Sequence, residues 1–218
     1  MTSQAELVQH LKEDVRVLTS PRLERAFLAV DRAYFVPKEL QGETYEDYPL
    51  AIGYGATISQ PTTVAFMLEK LDVREGQKVL DIGSGSGWTT ALLAHLVGPK
   101  GKVIGVEIIP EMVEQGRTNL RQCYSNVLKN IRITLPEIRQ AKEGVVGLPE
   151  EAPFDRILIS AAAEKVPEEL IAQLTPDGVL VIPIGKQFES QRILRIHKRQ
   201  DGTIETEEYP GFVFVPLR

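Results

Sequence analysis

The chain has 218 residues, of which 43% are hydrophobic and 25% charged; this is an ordinary globular composition, and the length suits one sizeable α/β domain while being cramped for two. Its net charge is −5 with Lys and Arg scattered rather than blocked, which argues against a nucleic-acid backbone as the main partner. One cysteine, Cys123, excludes an internal disulfide and fits a reducing, cytoplasmic setting, while the widely spaced His10, His95 and His197 give a metal site no support.

Met1–Lys12 has no apolar leader core, and no run approaches the ~18 apolar residues of a membrane span. Helical spacing runs through residues 2–18 and 22–33, with Leu23, Phe27 and Val30 recurring and Ser20-Pro21 as a start signal. Residues 37–61 carry Pro37, Gly42, Pro49, Gly53, Gly55 and Pro61, which break any regular element. So long an irregular stretch in a compact domain predicts a functional loop. A helix is predicted from Thr62 to about Leu71, after the N-terminal proline.

From Gln77 the pattern alternates. Lys78–Ile82 reads as a short buried strand, followed by glycines and an apolar helix from Trp88 to Val97. Lys102–Glu107 is a second strand, with a helix starting near Pro110. Ile131–Leu135 and Arg156–Ser160 read as the third and fourth strands, Pro167–Leu174 as a helix and Val179–Pro183 as a fifth strand. Gln191–Lys198 and Gly211–Pro216 read as terminal strands joined by the turn Asp201-Gly202. The alternation predicts a doubly wound, mostly parallel seven-stranded sheet, with helices on both faces and an antiparallel C-terminal edge. One domain is expected: helices and a loop over 1–75, a ligand-binding core over 76–185 and terminal strands over 186–218.

The loop Asp81-Ile-Gly83-Ser84-Gly85-Ser86-Gly87 lies between a buried strand and a helix, so its backbone can approach a ligand closely. Dinucleotide loops are spaced Gly-x-Gly-x-x-Gly, whereas this one reads Gly-x-Gly-x-Gly and then Trp88. The acidic Asp81 beside it suits a cationic, phosphate-free ligand better than pyrophosphate. The pattern resembles the cofactor loop of class I S-adenosylmethionine methyltransferases. In that comparison Glu107, ending the second strand, is placed to accept both ribose hydroxyls. Ile108 and Ile109 could pack on the adenine or belong to the core.

Further segments resemble the protein L-isoaspartate O-methyltransferase family: Phe35-Val-Pro37, Tyr45–Pro61 with Thr57-Ile58-Ser59, Pro149–Asp155, Ala161-Ala-Ala163, Leu174–Gly178, Pro183-Ile-Gly185 and Phe214–Leu217. The resemblance spans nearly the whole chain. It implies methyl transfer from S-adenosylmethionine to the α-carboxyl of L-isoaspartyl residues in damaged proteins, by a cytoplasmic monomer with no nucleic-acid or membrane partner. It also implies that Ser59 is the active-site hydroxyl, with Thr57 assisting or bracing the loop. By composition alone a serine in such a loop is a turn residue. Tyr54 and Ile58, with Val215, Pro216 and Leu217, are the substrate-side candidates, although the C-terminal segment could be a plain edge strand. The neighbourhood of Tyr48 and Ala51 is expected beside the peptide cleft.

One departure stands out. After the third strand the family has Gly-Asp-Gly, whose Asp contacts the adenine; here the reading gives Leu135-Pro136-Glu137 and a longer connection to Asp155. Glu137 could be a longer-reaching acceptor or an exposed helix-start charge. The alternatives are a carboxyl methyltransferase on another peptide or small molecule, and a catalytically weak homologue that binds cofactor or aged peptide. A hydrolase lacks its Gly-x-Ser-x-Gly setting, and a nicotinamide enzyme lacks its glycine spacing.

Overall fold

A computed structural model of the chain describes residues 1–126, 133–186 and 189–217. Ser3 and Ser20 start the first helices, α1 (Gln4–Gln9) and α2 (Pro21–Ala29), by accepting hydrogen bonds from Glu6 N at 3.2 Å and Leu23 N at 3.5 Å. Both predicted helices are shorter than their spacing implied. The first continues only as a widened turn to Asp14, and Arg16 at φ 59° leaves the helical region. The second stops at Ala29, after which Asp31 accepts from Ala33 N and starts a separate 3₁₀ turn, Arg32–Phe35.

Residues 37–61 are not wholly irregular. Gly53, Tyr54 and Gly55, all at positive φ, turn a small antiparallel hairpin of β1 (Leu50–Gly53) and β2 (Ala56–Ile58). The glycines that read as breakers are its turn. The helix α3 (Pro61–Leu71) follows, with proline at its start as expected.

The main sheet is built on β3 (Lys78–Ile82) and β4 (Lys102–Glu107), each followed by its helix, α4 (Trp88–Val97) and α5 (Pro110–Asn126). It continues in β5 (Glu137–Gln140), β6 (Phe154–Ile159), the short α6 (Glu168–Ala172), β7 (Leu174–Ile184), β8 (Gln191–Lys198) and β9 (Ile204–Phe212). Among the described residues seven strands run in the order β5-β4-β3-β6-β7-β8-β9, parallel as far as β7 and antiparallel beyond it. Side chains alternate across it: Val79, Val103 and Leu158 join a cluster with the apolar residues of α1 to α5, while Leu80, Ile104 and Ile157 join a second with Leu148 and Leu170. Burying each such side chain contributes about 1.5–3 kcal/mol.

Two strands are displaced from their predicted places. Part of Ile131–Leu135 falls outside the described residues, Ile133–Leu135 is not strand, and the third strand is Glu137–Gln140. Pairing with β4 decides this: Ile138 fills the core from an edge whose other residues are polar. The last strand is Ile204–Phe212, not Gly211–Pro216, because its exposed Glu205, Glu207 and Glu208 hide the pattern of a solvated edge. The Asp201-Gly202 turn is present, with Gly202 at φ 85°. The helix expected over Pro167–Leu174 yields its end to β7.

From β3 the chain winds one way through β4 and β5, then returns to β6 and β7 on the other side. Ligands of such sheets sit in the crevice this reversal opens at the carboxyl ends of the strands.

Candidate active site

β3 ends against β4: Gly83 N and Ser84 N both donate to the Val106 carbonyl, at 2.9 and 3.1 Å. The reversal into α4 takes Gly83, Gly85 and Gly87 through φ of 73°, 51° and 91°, where a side chain is strained. Asn119 of α5 donates to Ser86 O at 3.0 Å and fixes the far side of the loop.

This seating needs two further glycines that the sequence reading passed over. A Cβ on Gly105 of β4 would lie 2.9 Å from Ser84 Cβ, and one on Gly116 of α5 would lie 2.9 Å from Gly85 O. A glycine inside a strand or helix costs about 0.5–1 kcal/mol relative to alanine. Close backbone approach is the usual reason for one, and that signal was available.

Glu107 reaches across the crevice from the end of β4 and is 8% exposed. Its Oε1 accepts from Ile108 N at 2.8 Å and Ile109 N at 3.1 Å, and its Oε2 accepts from Gly85 N at 3.1 Å. Oε2, with one donor of its own chain, retains acceptor capacity for a ligand hydroxyl.

Asp81 is not in the crevice. It is fully buried beneath the loop, where Oδ2 accepts from Thr89 at 2.8 Å and Thr90 at 2.6 Å. Burial pushes its carboxyl up to about 6, against the lowering effect of both hydroxyls, and the Glu107 charge adds to the rise. Asp81 thus braces the loop from beneath and does not line the cleft. Gly87 likewise stands behind the wall, capping α4 against Gly116 and Leu120.

The resulting cleft holds about 940 Å³ of space, counting the solvent at its open mouth. Gly83, Ser84, Gly85, Ser86 and Trp88 form one wall, and Glu107, Ile108 and Ile109 a second. Tyr54, Thr57, Ile58 and Ser59 face it from the hairpin, and Val215, Pro216 and Leu217 from the C-terminal segment. The structure thus brings most of the predicted site together. Sequence reasoning missed Ser160 and Ala141, although both follow strands whose carboxyl ends border the crevice. Tyr48 and Ala51 do not line it; Tyr48 is 41% exposed and donates to Glu43 at 2.6 Å.

Glu137 does not line the cleft either. It opens β5 beside Ile104, three residues before the Glu107–Gln140 pair, or about 10 Å back along the sheet at ~3.3 Å per residue. Its carboxylate pairs with Arg139 at 2.6 Å. The residue that follows β5 into the cleft is Ala141, whose N–H donates to Glu107 O at 2.8 Å. The extra residues therefore precede the third strand, and the carboxylate after it is Glu143, beside Gly144 at φ 74°.

The site suits a cation-bearing nucleoside and not a dinucleotide. Among the described residues no Lys or Arg lines the cleft and Glu107 does, while the Ser84 hydroxyl is buried without a partner at its wall. A pyrophosphate would find no counter-charge there, and a ribose diol would find a fixed carboxylate. Fold and cleft together define a Rossmann-like S-adenosylmethionine-dependent methyltransferase.

Comparison with known proteins narrows the class. The family model described as protein-L-isoaspartate(D-aspartate) O-methyltransferase matches residues 2–218. A protein-L-isoaspartate O-methyltransferase of Methanothrix thermoacetophila is 44% identical over 209 residues, covering 96% of this chain and 93% of that one. One from Pyrococcus horikoshii is 39% identical over 223 residues, covering 100% and 96%. A crystal structure of a Plasmodium falciparum protein described as such a methyltransferase, in complex with S-adenosyl-L-homocysteine, superposes with a TM-score of 0.85 at 27% identity, covering 99% of this chain and 98% of that one. The chain belongs to the protein-L-isoaspartate(D-aspartate) O-methyltransferase family.

Proposed function

We propose that this chain transfers a methyl group from S-adenosylmethionine to the α-carboxyl of L-isoaspartyl residues in damaged proteins, which initiates their repair. The observation that carries the reading is that Thr57 and Ser59 share one cleft with the glycine loop and Glu107, under the segment Val215–Leu217.

The chemistry needs no strong base. A substrate carboxylate has a reference pKa near ~4 and is an ionised nucleophile at neutral pH. S-adenosylmethionine supplies an electrophilic methyl on a sulfonium that departs as a neutral thioether. What the protein contributes is placement and water exclusion, worth up to about 7–11 kcal/mol in favourable systems. Ser59 donates a hydrogen bond to a carboxylate oxygen and Thr57 a second or a brace. Tyr54, Ile58 and the C-terminal segment hold the peptide. Glu107 accepts the ribose hydroxyls, Ile108, Ile109 and Ala141 flank the adenine, and Glu143 takes the adenine-amino role that the sequence alone assigned to Glu137. We read the acting unit as a monomer in the cytoplasm, a reading that the lone Cys123 of a reducing compartment supports.

Paired variants test the site. Ser59→Ala should lower kcat about tenfold or more, the loss of one charge-assisted hydrogen bond, while S-adenosylhomocysteine affinity stays near wild type. Glu107→Ala should weaken that affinity. An unchanged kcat would remove Ser59 from the reaction, and an unchanged dissociation constant would remove Glu107 from the cofactor.

A further inference from the structure

Beneath the hairpin lies a buried cation that the reaction as described does not use. Arg32 is fully buried, and among the described residues no carboxylate lies within ion-pairing distance of it. Its guanidinium instead donates to four main-chain carbonyls: Nη1 to Thr44 O at 2.6 Å and Glu46 O at 3.4 Å, Nη2 to Tyr48 O at 3.3 Å and Ser59 O at 3.2 Å. Its Cζ lies 5.2 Å from the centre of the Trp88 ring, the first residue of α4 and part of the cleft wall. On another side that ring meets Phe27 edge-on at 5.7 Å.

A cation without a counter-ion is costly to bury, and where volume alone matters an apolar isostere often serves as well or better. The planar fork of arginine, however, can address several carbonyls at once. The four acceptors are strung along the stretch that holds the hairpin, and the last belongs to Ser59, which lines the cleft. A second anchor, Asp47, accepts from Thr62 N at 2.9 Å and Thr62 Oγ1 at 2.6 Å and ties the same stretch to α3. Asp47 holds the middle of the stretch; Arg32 holds both ends and touches the cofactor-side helix.

We propose that Arg32 is a positioning residue for methyl transfer, its guanidinium setting the 44–59 segment, and with it Thr57 and Ser59, against the Trp88 side of the cleft. The proposal rests on the methyltransferase reading. Its consequence is selective. Loss of the fork misplaces the hydroxyls and the peptide wall, while the glycine loop and Glu107, held by β4 and α5, keep their geometry.

The experiment compares wild type, Arg32→Met and Arg32→Lys in steady-state methylation of an isoaspartyl peptide, with S-adenosylhomocysteine titration and thermal unfolding alongside. The Met variant keeps the volume and removes the fork. Its kcat is expected to fall at least tenfold and its peptide KM to rise, with cofactor affinity within threefold of wild type. Arg32→Lys, which keeps the charge with fewer and differently directed donors, is expected between the two. Wild-type kcat and KM in the Met variant would overturn the proposal. So would joint loss of folding and cofactor affinity in both variants, which assigns Arg32 to stability alone. If Arg32→Met alone fails to fold, the kcat and KM of Arg32→Lys decide. A wild type that leaves the isoaspartyl peptide unlabelled speaks against the methyltransferase reading, and the proposal falls with it.

Discussion

The carboxamide of Gln191 clasps both main-chain groups of Phe214: Oε1 accepts from Phe214 N at 2.6 Å, and Nε2 donates to Phe214 O at 3.4 Å. Gln191 begins β8 and is 1% exposed, so the clasp stands in for a rung of sheet just where β9 has ended. Beyond it, Ala162 N donates to Val215 O and Leu217 N donates to Ala162 O, both at 2.8 Å. These bonds hold the segment that closes the cleft. Gln191→Leu keeps the volume and strands two half-buried backbone groups, at up to about 1–3 kcal/mol. The expected result is a rise of about tenfold in peptide KM with S-adenosylhomocysteine affinity near wild type, read by steady-state kinetics and titration. An unaltered KM would detach the C-terminal segment from peptide binding.

Gly116→Ala should weaken cofactor binding although it improves the helix. Alanine is favoured over glycine in a helix by about 1 kcal/mol, but the new Cβ would lie 2.7 Å from Ile138 Cδ1 and 2.9 Å from Gly85 O. Overpacking typically costs about 1–3 kcal/mol, and the backbone oxygen cannot yield without moving the loop. Calorimetric titration should therefore show a higher dissociation constant for S-adenosylhomocysteine. Wild-type affinity would mean that the loop relaxes without consequence.

Acid stability should carry the mark of Glu151. Lys102 at 2.9 Å, Arg139 at 3.0 Å and Lys78 at 3.3 Å surround its carboxylate, and hydrogen bonds from Lys102 and then Arg139 pull it down to about 2. A depressed carboxyl stabilises the fold fully above its unfolded pKa of ~4.3 and loses that contribution as pH falls toward 2. Glu151→Gln should therefore melt below wild type at pH 7, with the gap closing under pH 4. A gap independent of pH would point to packing instead.

The sequence was most legible where both faces of an element are buried. The bounds of β3, α4 and β4 match their apolar runs because inner parallel strands read as unbroken hydrophobic stretches. Legibility failed at the edges. β5 and β9 are polar strands chosen by pairing, and misplacing β5 put Glu137 just after the third strand, when it opens that strand and Glu143 is the carboxylate that follows it. The hairpin β1–β2 was hidden by the glycines that make its turn. Arg32 and Gln191 left no trace in pattern or spacing, since their partners are main-chain atoms, which have no residue identity.

The central claim is selective methylation of the isoaspartyl α-carboxyl. Its most direct test incubates the protein with labelled S-adenosylmethionine and two peptides that differ only in L-isoaspartate against L-aspartate at one position. Base-labile label is expected on the isoaspartyl peptide alone. Equal labelling of both peptides, or label on neither despite bound cofactor, would contradict it.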